Sequence, residues 1–238
     1  MGLVHGAQEP LGVTNGLVLY LDAANKRSYP GSGTTWFDRS GSNNGTLTNG
    51  PSFNSSNFGS IVFDGSNDYV TIPFSLSFPT GSSARTLCAF FKPTSLGVGG
   101  VIFGIGGNST NGGRSSLWVG SDGNIGVECR NSGVFLSSLS DWGGLNTWNY
   151  LCAVYPSGST TVGSFILYVN GSLKSSSAFN GATTFNTTNQ SAIIATVPAA
   201  PGSNMFTGNI AQVSIYNRAL TAAEIQQNFN ALRGRFGI

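Results

Sequence analysis

The stretch from Gly208 to the C terminus constrains the fold more than any other part of the chain. Gly208-Asn-Ile-Ala-Gln-Val-Ser-Ile-Tyr reads as a strand, and a short helix opens almost at once at Thr221. In the strand, Ile210, Gln212, Ser214 and Tyr216 alternate onto one face, and Ala211, Val213, Ile215 and Asn217 onto the other, more apolar one. Thr221 and Glu224 have the spacing of a capping box, in which the hydroxyl accepts the Glu224 N–H and the carboxylate reaches back to the Thr221 N–H. Ile225, Phe229 and Leu232 then fall at i, i+4 and i+7 and make a narrow apolar stripe. One amphipathic helix following so much β-type sequence must lay that stripe on a sheet.

The β-type sequence comes in short runs. Strands are expected near Leu17–Asp22, Ser60–Asp64, Tyr69–Ile72, Thr86–Lys92, Val101–Ile105, Ser115–Val119, Ile125–Cys129, Trp148–Tyr155, Ser164–Val169, Ser172–Lys174, Ala192–Thr196 and Ile210–Tyr216. Asn170-Gly171 is the strongest hairpin signal, because a two-residue turn needs positive φ at both positions. Asp122-Gly123-Asn124 is a second. Many short strands with Gly-rich turns predict an all-β fold of two antiparallel sheets packed face to face, plus the one C-terminal helix. The 238 residues suit one such sandwich. Residues 1–15 have no period and read as an N-terminal arm, either folded back or docked on a neighbour, and 16–238 as the sandwich domain.

Charged residues are 8% of the chain, against about 25% in an average protein. With 34 glycines and much Ser, Thr and Asn, the surface is one of hydroxyls and amides. A net charge of +2 with scattered Lys and Arg builds no stripe for nucleic acid, and no apolar run approaches a membrane span. The N terminus does not read as a secretory signal. Cys88, Cys129 and Cys152 lie in apolar strand patterns and read as reduced, buried thiols, with a Cys88–Cys152 disulfide as the alternative.

Several segments resemble, in order, the laminin-G-like, concanavalin A-like lectin and glucanase sandwich domains: VFDGSNDYVTIP at 62–73, RTLCAFFKPTS at 85–95, IFGIGG at 102–107, NTWNYLCAVY at 146–155, LYVNGSL at 167–173 and IYNRALTAAEI at 215–225. The resemblance implies a concanavalin A-like jelly roll. The opening segment, residues 16–47, is similar to the start of such domains in structural proteins of tailed bacteriophages. Relatives often carry an acidic pair ahead of the IYNRAL segment, where this chain has Ala211 and Gln212.

The glucanases of the resembled family place Glu-x-Asp-x-x-Glu on one strand, since glycoside hydrolysis needs two carboxylates on one bond. Here Glu9, Glu128 and Glu224 are isolated, so no catalytic residues are assigned. The lone His5 sits in the arm, without a nucleophile motif. Many relatives bind calcium, but Asp64, Asp68 and Asp122 have the sequence context of turn caps, as Asp22, Asp38 and Asp141 also do on this reading, and no metal or other cofactor is assigned. Trp36, Trp118 and Trp148 read as packing residues. Trp142, in the loop Ser-Asp-Trp-Gly-Gly-Leu, is the candidate ligand-binding aromatic, although such loops also tuck an aromatic beneath themselves.

The resemblance of residues 16–47 implies a structural protein of a phage virion, an exterior capsid decoration or a tail-associated protein assembled in the host cytoplasm, and the missing catalytic motif makes the expected role non-enzymatic. Its expected partners are other virion proteins, copies of itself and host-surface glycans, with no nucleic acid and no membrane. A carbohydrate-binding module is the alternative, and a glycoside hydrolase the third class.

Overall fold

The computed structural model describes residues 12–238. The strands run, in chain order, β1 (Leu17–Asp22), β2 (Thr35–Trp36), β3 (Gly45–Thr48), β4 (Ser52–Asn54), β5 (Ser60–Asp64), β6 (Tyr69–Ile72), β7 (Arg85–Ser95), β8 (Gly100–Gly106) and β9 (Arg114–Val119). They continue with β10 (Ile125–Glu128), β11 (Gly133–Leu136), β12 (Asn149–Tyr155), β13 (Ile166–Val169), β14 (Ser172–Leu173), β15 (Ser176–Phe179), β16 (Ala192–Ile194) and β17 (Thr207–Tyr216), before helix α1 (Ala222–Leu232). One sheet has eight strands, ordered β14-β13-β12-β7-β17-β5-β4 with β1 also on β17, and the other has nine, ordered β15-β11-β10-β9-β8-β16-β6-β3-β2. The result is an antiparallel two-sheet sandwich with one helix laid outside it.

Alternation places the core. On β7, Leu87, Ala89 and Phe91 face the other sheet, while Cys88 and Phe90 face outward under α1. On β12, Leu151, Ala153 and Tyr155 point inward, and Tyr150, Cys152 and Val154 outward. The centre of the eight-stranded sheet is therefore buried on both faces. The stripe Ile225, Phe229 and Leu232 is buried on that outer layer as the sequence predicts. Phe90 lies 4.3 Å from Tyr150, 4.7 Å from Phe236 and 6.3 Å from Phe229, centroid to centroid. Thr221 and Glu224 make the expected reciprocal cap.

β17 departs from strict alternation. Ile210 faces the inter-sheet core together with Val213 and Ile215, whereas Ala211 joins the helix-side layer. The register against β7 slips between Ile210 and Gln212, a β-bulge that switches the parity of the strand. The bulge lies where one edge of β17 changes partner, from β5 at Thr207–Ile210 to β1 at Gln212–Tyr216.

Cys88 and Cys152 face each other in register on β7 and β12 and form a disulfide, with Cα atoms 4.2 Å apart. That separation belongs to the closer class of antiparallel pair, and it corrects the reading of these residues as thiols. Cys129 is free and buried. Asn170 and Gly171 take φ of 50° and 78° and close the β13–β14 hairpin as expected. β2, β3, β4, β11 and β15 carry no readable alternation, being two to four residues long. Of the arm, residues 12–15 fold back on the domain: Val13 N–H donates to Asn228 Oδ1 at 2.7 Å and Arg218 Nε to Asn15 O at 2.9 Å. The remainder of the arm, with His5 and Glu9, lies outside the described residues.

Candidate functional site: a polar cleft on the nine-stranded sheet

The helix covers one sheet, so the outer face of the other is the broad face it leaves free. Along β9, Leu117 and Val119 enter the core, which turns Arg114, Ser116 and Trp118 outward. On β10, Glu128 is the register partner of Ser116, and Ser116 in turn of Gly104 on β8. Arg114 Nε donates to Glu128 Oε2 at 2.6 Å, with side chains only 8% and 15% exposed. The Arg114 Nη1 group also donates to Asn108 Oδ1. A nearly dry ion pair on an outer sheet face thus fixes the side-chain amide of Asn108. A buried pair is costly to break from one side, because the remaining charge is left uncompensated.

Asn108 is part of a cleft of about 340 Å³ lined by Gly107, Asn108, Ser109, Gln190 and Ala199. The carbonyl of Gly113 ties its two walls together, accepting from Gly107 N at 2.9 Å and from Thr188 N at 3.1 Å. Glycine at 107 suits this close approach, since a Cβ there would stand 2.4 Å from Thr188 Oγ1 and the hydroxyl would have to turn away. The cleft wall is amide, hydroxyl and backbone, with a guanidinium–carboxylate pair behind it.

The tryptophans are placed differently from the sequence reading. Trp142 is 9% exposed, packs in the inter-sheet core, and spends its Nε1–H on Gly123 O at 2.9 Å. It presents no open ring face to a ligand in this structure, because its loop folds over it. Trp118 is half-buried and outward-facing, on the same strand as Arg114 and about 13 Å from it at ~3.3 Å per residue. Its β10 partner is Gly126, with half-buried Phe135 beyond on β11. The apolar run around Trp118 hides this from a sequence reading; only the parity of Leu117 and Val119 gives it away. Trp36 is fully buried, and Trp148 is buried with its Nε1 donating to Asn57 Oδ1 at 3.2 Å.

The carboxylates are occupied elsewhere. Asp38 accepts from the Tyr20, Ser40 and Asn43 N–H groups. Asp64 is held low by the Ser66 N–H, and Asp122 by that of Asn124, while burial pushes Asp68 up. Asp22 pairs with Arg235 and Asp141 with Lys174. Among the described residues no three His, Cys, Asp or Glu side chains converge as a metal group. Glu224, on the helix over the opposite sheet, is gripped by Arg218, so the two described glutamates stand on opposite faces of the sandwich.

This is the architecture of a lectin-like sandwich. The model of the concanavalin A-like lectin/glucanases superfamily matches residues 64–226, and the chain belongs to that superfamily. No curated protein sequence matches it. Among solved structures, the binding domain of Paraclostridial Mosquitocidal Protein 1 superposes with a TM-score of 0.64 at 17% identity, over 92% of this chain and 52% of that one. A Trypanosoma rangeli sialidase in complex with the inhibitor DANA gives 0.62 at 17%, over 94% of this chain and 34% of the other. Domain 4 of AbnA, an extracellular arabinanase from Geobacillus stearothermophilus, in complex with arabinotriose, gives 0.61 at 18%, over 91% and 98%. The chain therefore spans about half of the mosquitocidal binding domain and a third of the sialidase, but nearly all of the arabinanase domain. At these identities the likeness is one of fold.

Proposed function

We propose that the chain is a non-catalytic, lectin-like binding domain that holds a glycan in the polar cleft of the nine-stranded sheet. The observation that carries this reading is the cleft wall: Asn108, Ser109 and Gln190 offer amides and a hydroxyl, and the Arg114–Glu128 pair fixes Asn108 in place. Sugars are recognised by such groups together with an aromatic face, which Trp118 supplies farther along β9. An arabinanase domain of the same fold and size, solved with arabinotriose, supports the reading. Hydrolysis would need two carboxyl groups about 5 to 9.5 Å apart across one bond, whereas Glu128 is committed to Arg114 and Glu224 lies over the other sheet. The test is a glycan array with the full chain, followed by a reducing-end assay on every ligand found. Saturable binding without product release is expected; product release, or an empty array, contradicts it.

The proposed setting is the exterior of a tailed-phage particle, on the capsid or the tail, with virion proteins and copies of the chain as neighbours. The similarity of residues 16–47 to the opening of such domains supports it, as does a surface with few charges to keep copies apart. An antibody to the chain should label purified particles; particles free of the chain contradict this setting.

A further inference from the structure

On the opposite face of the sandwich, a cavity of about 210 Å³ opens between residues 12–14, β1, β17 and α1. Its floor is Gln212 and Ser214 of β17, each only 2% exposed. Strand register sets Ser214 between Tyr20 and Cys88, and Gln212 between Asp22 and Phe90. Among the described residues, neither the Gln212 amide nor the Ser214 hydroxyl has a hydrogen-bond partner. Neither is among the fully enclosed polar atoms without a partner, so although the residues are buried their polar atoms reach the cavity, where solvent or a ligand must serve them. Two such groups side by side, both lining one cavity, mark a place where a ligand completes the bonding.

The rest of the cavity is preorganised. Tyr216 donates its hydroxyl to Val13 O at 2.9 Å and accepts from Asn228 Nδ2 at 3.0 Å, which fixes one wall. Tyr20, Tyr150 and Leu232 add ring and aliphatic surface. Arg39 stands exposed at the rim, without an ion pair among the described residues. Of the two acids at this end of the sheet, Asp22 is paired with Arg235 Nη1 at 3.0 and 2.8 Å, and Asp38, the residue before Arg39, is turned to the Tyr20, Ser40 and Asn43 N–H groups. The space equals on the order of seven water volumes at ~30 Å³ each, the size of one small ring.

We propose that this cavity binds a monosaccharide bearing a carboxylate, a hexuronate: its hydroxyls on Gln212 and Ser214, its apolar face on the tyrosines, and its carboxylate on Arg39. The site shares no residue with the cleft of the nine-stranded sheet and does not depend on a glycan binding there. Calorimetric titration of the full chain with glucuronate and galacturonate, against glucose and galactose, tests it. At least one acid should bind saturably and about tenfold more tightly than its neutral counterpart, a difference that salt erodes. Arg39→Ala, at an exposed position, should remove that tenfold advantage with melting unchanged, Gln212→Leu should abolish binding, and Asn108→Ala in the cleft should leave it intact. The proposal is overturned if neither acid binds below about 10 mM, if acid and neutral sugars bind alike, if Arg39→Ala binds as the parent does, or if Asn108→Ala removes binding.

Discussion

Arg218 holds Glu224 by both carboxylate oxygens, Nη1 to Oε2 at 2.9 Å and Nη2 to Oε1 at 2.6 Å, while Glu224 also accepts the Thr221 N–H. One carboxylate thus joins the end of β17 to the first turn of α1. The Arg218 guanidinium, then the Thr221 groups, hold the Glu224 carboxyl down at about 2, against an ordinary 4.5. A depressed folded pKa contributes stability that is fully present above the unfolded value and is lost as pH falls through the folded one. Thermal melting should therefore weaken progressively from about pH 5 towards pH 2. Glu224→Gln should cost about 1 kcal/mol at neutral pH and flatten that part of the profile. A Glu224→Gln profile that keeps the parent's full acid slope would contradict the assignment.

The Cys88–Cys152 bond closes a loop with a sequence separation of 64. By chain entropy such a link stabilises by about 4 kcal/mol. Urea unfolding of Cys88→Ala/Cys152→Ala, beside the parent with and without reductant, should show a loss of about 2–4 kcal/mol. Intact mass after alkylation of the denatured, unreduced chain should show one labelled cysteine, Cys129; three labelled cysteines would mean that the bond is absent.

Trp118 and Trp142 should separate cleanly by experiment. Trp142→Ala removes a core side chain and should cost about 3–5 kcal/mol. Trp118→Ala should melt closer to the parent yet weaken glycan binding by about tenfold, or 1.4 kcal/mol. If Trp142→Ala left stability intact and Trp118→Ala left affinity intact, the assignment of their roles would be wrong.

How much of this was legible in the chain follows from what alternation can and cannot encode. The C-terminal strand and helix were readable because an apolar stripe and a capping box are local signals, and β1, β5 and β6 fell on their expected residues. The parity switch at Ala211 was not, since a bulge depends on which strand lies alongside and not on the residue itself. The disulfide stood in the sequence only as the alternative to free thiols for a related reason: nothing in the spacing of Cys88 and Cys152 says that β7 and β12 run side by side in that register. The cleft was missed altogether. Asn108, Ser109 and Gln190 are ordinary loop residues in an Asn- and Ser-rich sequence, and only the fold brings residues 107–109 against residue 190.

Glycan binding at the cleft is tested most directly by locating the ligand. Backbone amide shifts of the isotopically labelled chain, titrated with an oligosaccharide positive on the array, should move at Gly107, Asn108, Ser109 and Gln190 and at the Trp118 indole, and those movements should vanish in Asn108→Ala. Shifts confined to the helix-covered sheet, or unchanged by Asn108→Ala, would contradict it.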